Sequence, residues 1–155
     1  MNISKLLSLL NAHKVKYVII GASAMPVHGY SRHTKDIDIF IEATEENAAK
    51  TMLALEECGY DVIDLTIEEL LEKKILLRQY ILETDIHSSV AGATWEEIWK
   101  SKVQAELQGV ITYFASLDDL IKMKKAAGRG KDIDDLRYLN EIKRQMKLKE
   151  KKVKA

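Results

Sequence analysis

Apolar residues first recur at Ile3, Leu6, Leu7 and Leu10, the i, i+3, i+4, i+7 spacing of a helix that lays one face on a core, and Asn11 to Lys14 end it. Tyr17 to Ile20 is a short β-branched run stopped by Gly21, the pattern of a buried strand entering a tight turn. A helix is expected next, capped by Ser23, with Pro26 in its first turn and Gly29 closing it. Asp36 to Ile41 then alternates with period two: Ile37, Ile39 and Ile41 share one face, Asp36 and Asp38 the other. Thr44 opens a second helix with Glu45 and Glu46 in its first turn, Met52, Leu53 and Leu55 as core candidates and Gly59 as its stop.

Tyr60 to Ile63 reads as a strand, and Thr66-Ile67-Glu68-Glu69 as a capping box opening a short helix that ends near Lys74. Ile75 to Ile81 and Thr84 to Val90 read as an antiparallel hairpin whose turn lacks Asn-Gly chemistry. Thr94 caps a helix through Trp99, and Val103 to Leu107 with Val110 to Ala115 flank Gln108-Gly109 as a second hairpin. Ser116 caps a helix to Gly128, and from Asp132 onward Ile133, Leu136, Leu139 and Ile142 mark a last helical stripe. Together these elements predict an α+β fold, a mixed β-sheet flanked by helices with a helical C-terminal portion. No repeat or linker divides the chain, so residues 1–142 form one domain followed by a basic tail at 143–155.

Composition supports a folded chain: 155 residues, 46% hydrophobic and 31% charged, with one Pro. Basic and acidic residues balance at 24 each, but Lys143 to Lys154 holds seven basic residues against Glu150, which leaves 17 basic and 23 acidic elsewhere. An acidic body and a basic tail allow either an RNA contact at the tail or a plain solvated helix end. Cys58 is the only cysteine, which excludes an intramolecular disulfide, and the apolar run at Leu6 to Leu10 is too short to cross a membrane. The expected setting is therefore cytoplasmic, with no membrane partner.

The chemistry gathers on the Asp36–Ile41 strand. Side chains two apart on a strand point the same way, about 6.5–7 Å apart, so Asp36 and Asp38 are placed to hold divalent ions while Ile37 and Ile39 anchor them. Mg²⁺ suits such oxygen ligands, although an Asp-x-Asp strand is also an ordinary solvated face. The turn at Gly21 opens a helix N-terminus suited to phosphate, only 14 residues separate Gly21 from Asp36, and Asp85 lies opposite Ile86 on another strand as a third carboxylate.

Tyr17-Val18-Ile19-Ile20-Gly21-Ala22-Ser23 followed by Asp36-Ile37-Asp38-Ile39 resembles the signature of the polymerase-β-type nucleotidyltransferase superfamily. His28-Gly29, Arg32 to Asp38 and Asp119 to Asp132 are similar to its minimal branch containing AbiEii-like toxins of type IV toxin–antitoxin systems. The resemblance spans about Val15 to Leu139. It implies that Asp36, Asp38 and Asp85 are catalytic and bind two Mg²⁺ ions, that Gly21, Ala22 and Ser23 hold the β and γ phosphates of an NTP, and that a nucleoside monophosphate passes to a hydroxyl of RNA or protein, with an antitoxin as a further partner. A small-molecule acceptor and a non-catalytic interaction module are the alternatives on the same fold. Ala22 departs from the family's usual Gly or Ser, which keeps a backbone donor and removes a hydroxyl.

Arg32 and Lys35 precede the acidic strand and are candidates for triphosphate contact or simple solvation. Lys124 is the favoured nucleotide contact of the late motif, with Arg129 beside it, whereas Lys131 and Asp132 also suit helix capping. His87 shares a strand face with Asp85 and reads first as a structural histidine, as does His28 near its turn. Trp95 and Trp99 read as packing residues.

Overall fold

The structure, a computed structural model, describes residues 3–30, 36–78 and 83–154. Its elements are α1 (Ile3–Ala12), β1 (Tyr17–Ile20), a 3-10 helix (Gly21–His28), β2 (Asp36–Ile41), α2 (Glu45–Cys58), α3 (Ile67–Glu72), β3 (Ile75–Leu77), β4 (Glu83–His87), α4 (Trp95–Ser101), β5 (Val103–Leu107), β6 (Val110–Phe114), α5 (Leu117–Ala127) and α6 (Gly130–Lys154). The six strands form one mixed sheet in the order β3-β4-β2-β1-β6-β5. β2 runs parallel to β4 and β1 parallel to β6, while β1–β2, β3–β4 and β5–β6 are antiparallel. The expected α+β fold with a helical C-terminal region is what the chain adopts.

Sequence alternation explains the two faces of the centre of the sheet. Ile37, Ile39, Thr84 and Ile86 are buried on one side, and Asp36, Asp38, Glu83, Asp85 and His87 project from the other. Leu6, Leu7 and Leu10 of α1 are fully buried, and α1 packs against α2. Asn47, 4% exposed, ties α2 to the ends of β1 and β2: its side chain accepts from Lys16 N at 2.8 Å and donates to the carbonyls of Lys16 and Glu42. The bond from Lys16 N gives that donor its partner, and the two donated bonds join α2 to carbonyls that also accept from Glu42 N and Thr44 N. The hairpin expected around Gln108-Gly109 forms β5 and β6, both turn residues taking positive φ as a type I′ turn requires.

Several expectations change. Ser23 does not cap a helix: the 3-10 helix already starts at Gly21, is flanked by Ile20 with no side-chain cap, and contains Ser23 and Pro26 within it. Tyr60 to Ile63 is not a strand. Tyr60 N donates to Leu55 O to finish α2, its buried ring places its hydroxyl 2.9 Å from Thr84 Oγ1, and the Asp61 carboxylate accepts from Ile63 N to turn the chain. Leu53 is 52% exposed because α2 buries Asn47, Ala48, Thr51, Ala54, Leu55 and Cys58, and Leu53 falls outside that stripe.

Ile133 is likewise exposed. The buried stripe of α6 starts at Asp132 and Asp135, one position off the apolar pattern, and continues through the fully buried Leu139. The β3–β4 hairpin forms with shorter strands, Ile75 pairing with Ile86 and Leu77 with Thr84, and the expected strand residues 79–81 lie outside the described residues. α6 continues through the basic segment, exposed from Arg144 to Val153. Among the described residues no helix is long and apolar enough to cross a membrane.

Candidate active site

Parallel pairing of β2 with β4 sets Asp36 beside Glu83 and Asp38 beside Asp85, so alternation carries four carboxylates onto one face. One ligand atom from each of Asp38, Asp85 and His87 lies within 4.8 Å of the others, a spacing that can hold a metal ion. Two carboxylates with an imidazole form a donor set of the kind that binds divalent cations. Asp36 faces the same cleft but lies outside that trio, and its carboxyl is hydrogen-bonded to Glu83, which raises the Glu83 pKa above its ordinary value, as burial also does.

Each carboxylate of the trio is held. His87 Nε2 is hydrogen-bonded to Asp38 Oδ1 at 2.9 Å. Asp85, 5% exposed, receives Arg78 Nη1 on Oδ1 at 2.6 Å and has Lys74 Nζ 3.6 Å from Oδ2. Arg78 also lies 3.3 Å from Glu83 Oε2, and its guanidinium is held above its usual pKa chiefly by the hydrogen bond to Asp85. These cations offset the repulsion of the clustered carboxylates and the desolvation of Asp85.

Gly21 brings the turn against this cluster. Its φ is +67°, and a Cβ built there would lie 2.9 Å from Asp38 Oδ2, so the backbone approaches the carboxylate more closely than any other residue type allows. Gly21 and Ala22 line a cleft of about 480 Å³ together with Asp36, Asp38, Asp85, His87 and Lys74, and with Leu120, Met123, Lys124 and Arg129 from the C-terminal helices and the turn between them. Ser23 turns elsewhere: Asp38 N donates to its Oγ at 3.4 Å, and that hydroxyl in turn lies 3.5 Å from Ile20 O. It fastens the turn to β2 instead of opening into the cleft.

Lys124 reaches the cleft wall but is only 8% exposed, with its ammonium 3.0 Å from Asp132 Oδ1 and 3.1 Å from Asp135 Oδ2. Burial raises the pKa of Asp132, yet hydrogen bonds from Arg129 and Lys124 outweigh it and hold the carboxyl down at about 2. Lys124 is therefore first an interior ion-pair partner that joins α5 to α6. Arg32 and Lys35 lie outside the described residues, as does the side chain of Lys131. His28 is structural, its Nε2 2.8 Å from Ala115 O. Trp95 packs edge-on against Phe40 and stacks on Trp99, the packing role expected of both.

His87, read first as a structural histidine, lies two positions after Asp85 on one strand, and the structure brings it into the Asp38–Asp85 cluster. Lys74 and Arg78 were missed. They flank Leu76, the residue paired with Asp85, at plus and minus two, so only the β3–β4 register reveals them.

A family model described as "Nucleotidyltransferase of unknown function (DUF6036)" matches residues 1–148. The chain belongs to this nucleotidyltransferase family. That description sits at the level of the nucleotidyltransferase superfamily expected from the strand–turn–strand signature and does not single out the AbiEii-like branch. No match to a curated protein sequence was found.

Solved structures show the same fold. The nucleotidyltransferase candidate TM1012 of Thermotoga maritima aligns with a TM-score of 0.60 at 19% identity, over 90% of this chain and 91% of that one. The antibiotic-resistance factor ANT(2'')-Ia gives 0.60 at 13% identity over 98% and 92%. The lincosamide antibiotic adenylyltransferase LnuA gives 0.60 at 18% over 92% and 98%. At these identities the likeness concerns the fold of the nucleotidyltransferase family alone.

Proposed function

We propose that the protein is a metal-dependent nucleotidyltransferase that moves a nucleoside monophosphate from an NTP to a hydroxyl and releases pyrophosphate. The observation that carries this reading is the convergence of Asp38, Asp85 and His87 beside the Gly21 turn, on the wall of a cleft of about 480 Å³. In this reading Asp38 and Asp85, with Asp36 adjoining, hold two Mg²⁺ ions, which supply charge stabilisation for the attacking and leaving oxygens of an in-line displacement. The backbone N–H groups of Gly21 and Ala22 meet the β and γ phosphates, and the Ala22 methyl costs no donor because the backbone supplies it. Ser23 acts through position, by holding the turn on β2. Lys124, which lines the cleft, and Arg32 complete the triphosphate contacts.

Asp85 accepts the proton of the incoming hydroxyl, a role its place in the cleft wall allows. His87, hydrogen-bonded to Asp38, fixes that carboxylate's orientation. The acceptor in this proposal is RNA of tRNA-like form or a protein hydroxyl, as in the toxin-like branch that the late motif resembles, with an antitoxin as cognate partner. The second reading is a small-molecule acceptor. It is raised by two structures of like fold, an antibiotic-resistance factor and a lincosamide adenylyltransferase. The test is Mg²⁺-dependent pyrophosphate release from each NTP, offered total tRNA, protein, an aminoglycoside or a lincosamide in turn. Release with one acceptor pool assigns it. Absence of release with every pool contradicts the enzymatic reading and leaves a nucleotidyltransferase fold used for interaction.

A further inference from the structure

Both oxygens of Asp85 already face cations. Arg78 Nη1 is 2.6 Å from Oδ1 and Lys74 Nζ is 3.6 Å from Oδ2, while Asp85 itself is 5% exposed. The two cations differ from their target in mobility: the side chains of Lys74 and Arg78 are 52% and 40% exposed, so either can leave without opening the core. Lys74 also lines the cleft that Gly21 and Ala22 line, so its ammonium and the turn face one shared space. Arg78 is anchored a second time, 3.3 Å from Glu83 Oε2, and stays on the β4 side when released from Asp85.

A divalent ion and these side chains compete for the same oxygens. A buried carboxylate stripped of its cations and given nothing in return is strongly unfavourable, so loss of one partner must be matched by gain of another. An incoming metal polyphosphate supplies both halves of the exchange. Its metal takes Asp85, and its phosphate oxygens take the displaced ammonium.

We propose that Lys74 and Arg78 are internal counter-cations that hold Asp85 in place of a divalent ion and are exchanged for one when a metal polyphosphate binds, Lys74 then becoming a polyphosphate contact. This rests on the metal-dependent reading of the site. It assigns two residues that neither the sequence signature nor the family match points to, and it makes the site poorly receptive to free metal and receptive to metal already carried by its anion.

The exchange predicts opposite signs for two probes. Free Mn²⁺ binding, followed by electron paramagnetic resonance of the unbound ion, is compared in wild type, Lys74→Gln and Arg78→Gln. Both substitutions remove a competitor and are expected to tighten Mn²⁺ about fivefold. Binding of Mg²⁺–tripolyphosphate, followed by calorimetry, is expected to weaken about fivefold in Lys74→Gln. In an Asp85→Asn background Arg78→Gln is expected to leave Mn²⁺ binding unchanged. Circular dichroism before each titration confirms the fold, and Arg78→Lys, which keeps the charge, is expected to stay within about twofold of wild type. Mn²⁺ binding unchanged or weaker in both Gln variants, tripolyphosphate binding unchanged in Lys74→Gln, or no Mn²⁺ binding by any of the proteins overturns the exchange. The predicted opposite signs without nucleotide transfer overturn the proposed reaction and leave the exchange standing.

Discussion

Replacing Gly21 by alanine tests the link between backbone geometry and the carboxylate cluster. Gly21 sits at φ +67°, in the left-handed region, where an L residue with a Cβ is disfavoured by about 1–2 kcal/mol. The new Cβ would also lie 2.9 Å from Asp38 Oδ2, and Asp38 is held on its other oxygen by His87 at 2.9 Å, so relief of the clash has to disturb that hydrogen bond. Adding part of a hydrogen bond gives a total of about 1–3 kcal/mol. For a domain of this size that lowers Tm by about 2–10 °C.

Gly29→Ala is the matched control. It has φ +93° and nothing within 4 Å of a built Cβ, so it carries backbone strain without a clash. Thermal unfolding followed by tryptophan fluorescence and Mn²⁺ binding would be measured on both variants. Gly21→Ala is expected to lose about 10–100-fold in Mn²⁺ affinity, the usual cost of disturbing a group that orients a ligand, while Gly29→Ala keeps it. Equal Mn²⁺ affinity in the two variants would show that Gly21 does not position Asp38.

Other substitutions have separate readouts. Leu55→Ala, at a fully buried position of α2, is expected to cost about 2–5 kcal/mol in urea unfolding, whereas Leu53→Ala, two residues away and exposed, stays within about 0.5 kcal/mol. Thr66→Ala removes the reciprocal capping box of α3 and is expected to cost about 1 kcal/mol by the same assay. Asp132 is held at about 2, below its ordinary 3.8, by Arg129 and Lys124 against burial, so its stabilisation is fully present above pH 4 and is lost as pH falls toward 2. Asp132→Asn is expected to cost about 1.5–3 kcal/mol at pH 7 and to flatten the fall in stability across that acid window. An unaltered slope would show that another carboxylate carries it.

The fold was legible where one physical signal dominated. Period-two alternation at Asp36 to Ile41 placed the acidic face correctly, and the caps at Thr44, Thr66, Thr94 and Ser116 marked four helix starts through hydroxyls that accept from a backbone N–H three residues on. Reading failed where polar residues took apolar positions. Asp132 and Asp135 are buried on α6 because Lys124 pairs with both, and a stripe drawn through apolar residues alone had to choose the exposed Ile133 instead.

That Asp38 and Asp85 each project from the polar face of a strand was legible because alternation is a local property of the chain, and the β2–β4 pairing sets the two side by side. Lys74 and Arg78 meet Asp85 through the register of a hairpin, and its turn carries no residue that specifies the register. Ser23 was expected, with Gly21 and Ala22, among the residues that hold phosphate, and its hydroxyl faces the strand. The hydroxyl accepts from Asp38 N because a turn that starts at Gly21 and winds as a 3-10 helix directs the side chain of position 23 back toward β2.

The central claim is that Asp38 and Asp85 serve one nucleotidyl-transfer site. Its most direct test is transfer of label from each of the four α-labelled NTPs, with Mg²⁺, to total tRNA, to protein and to the two antibiotic classes, run with wild type, Asp38→Asn and Asp85→Asn. Label is expected on one acceptor class with wild type, with a loss of at least about 100-fold in either variant, each folded by circular dichroism. Label that persists undiminished in both variants, or no label from any NTP on any acceptor, would contradict it.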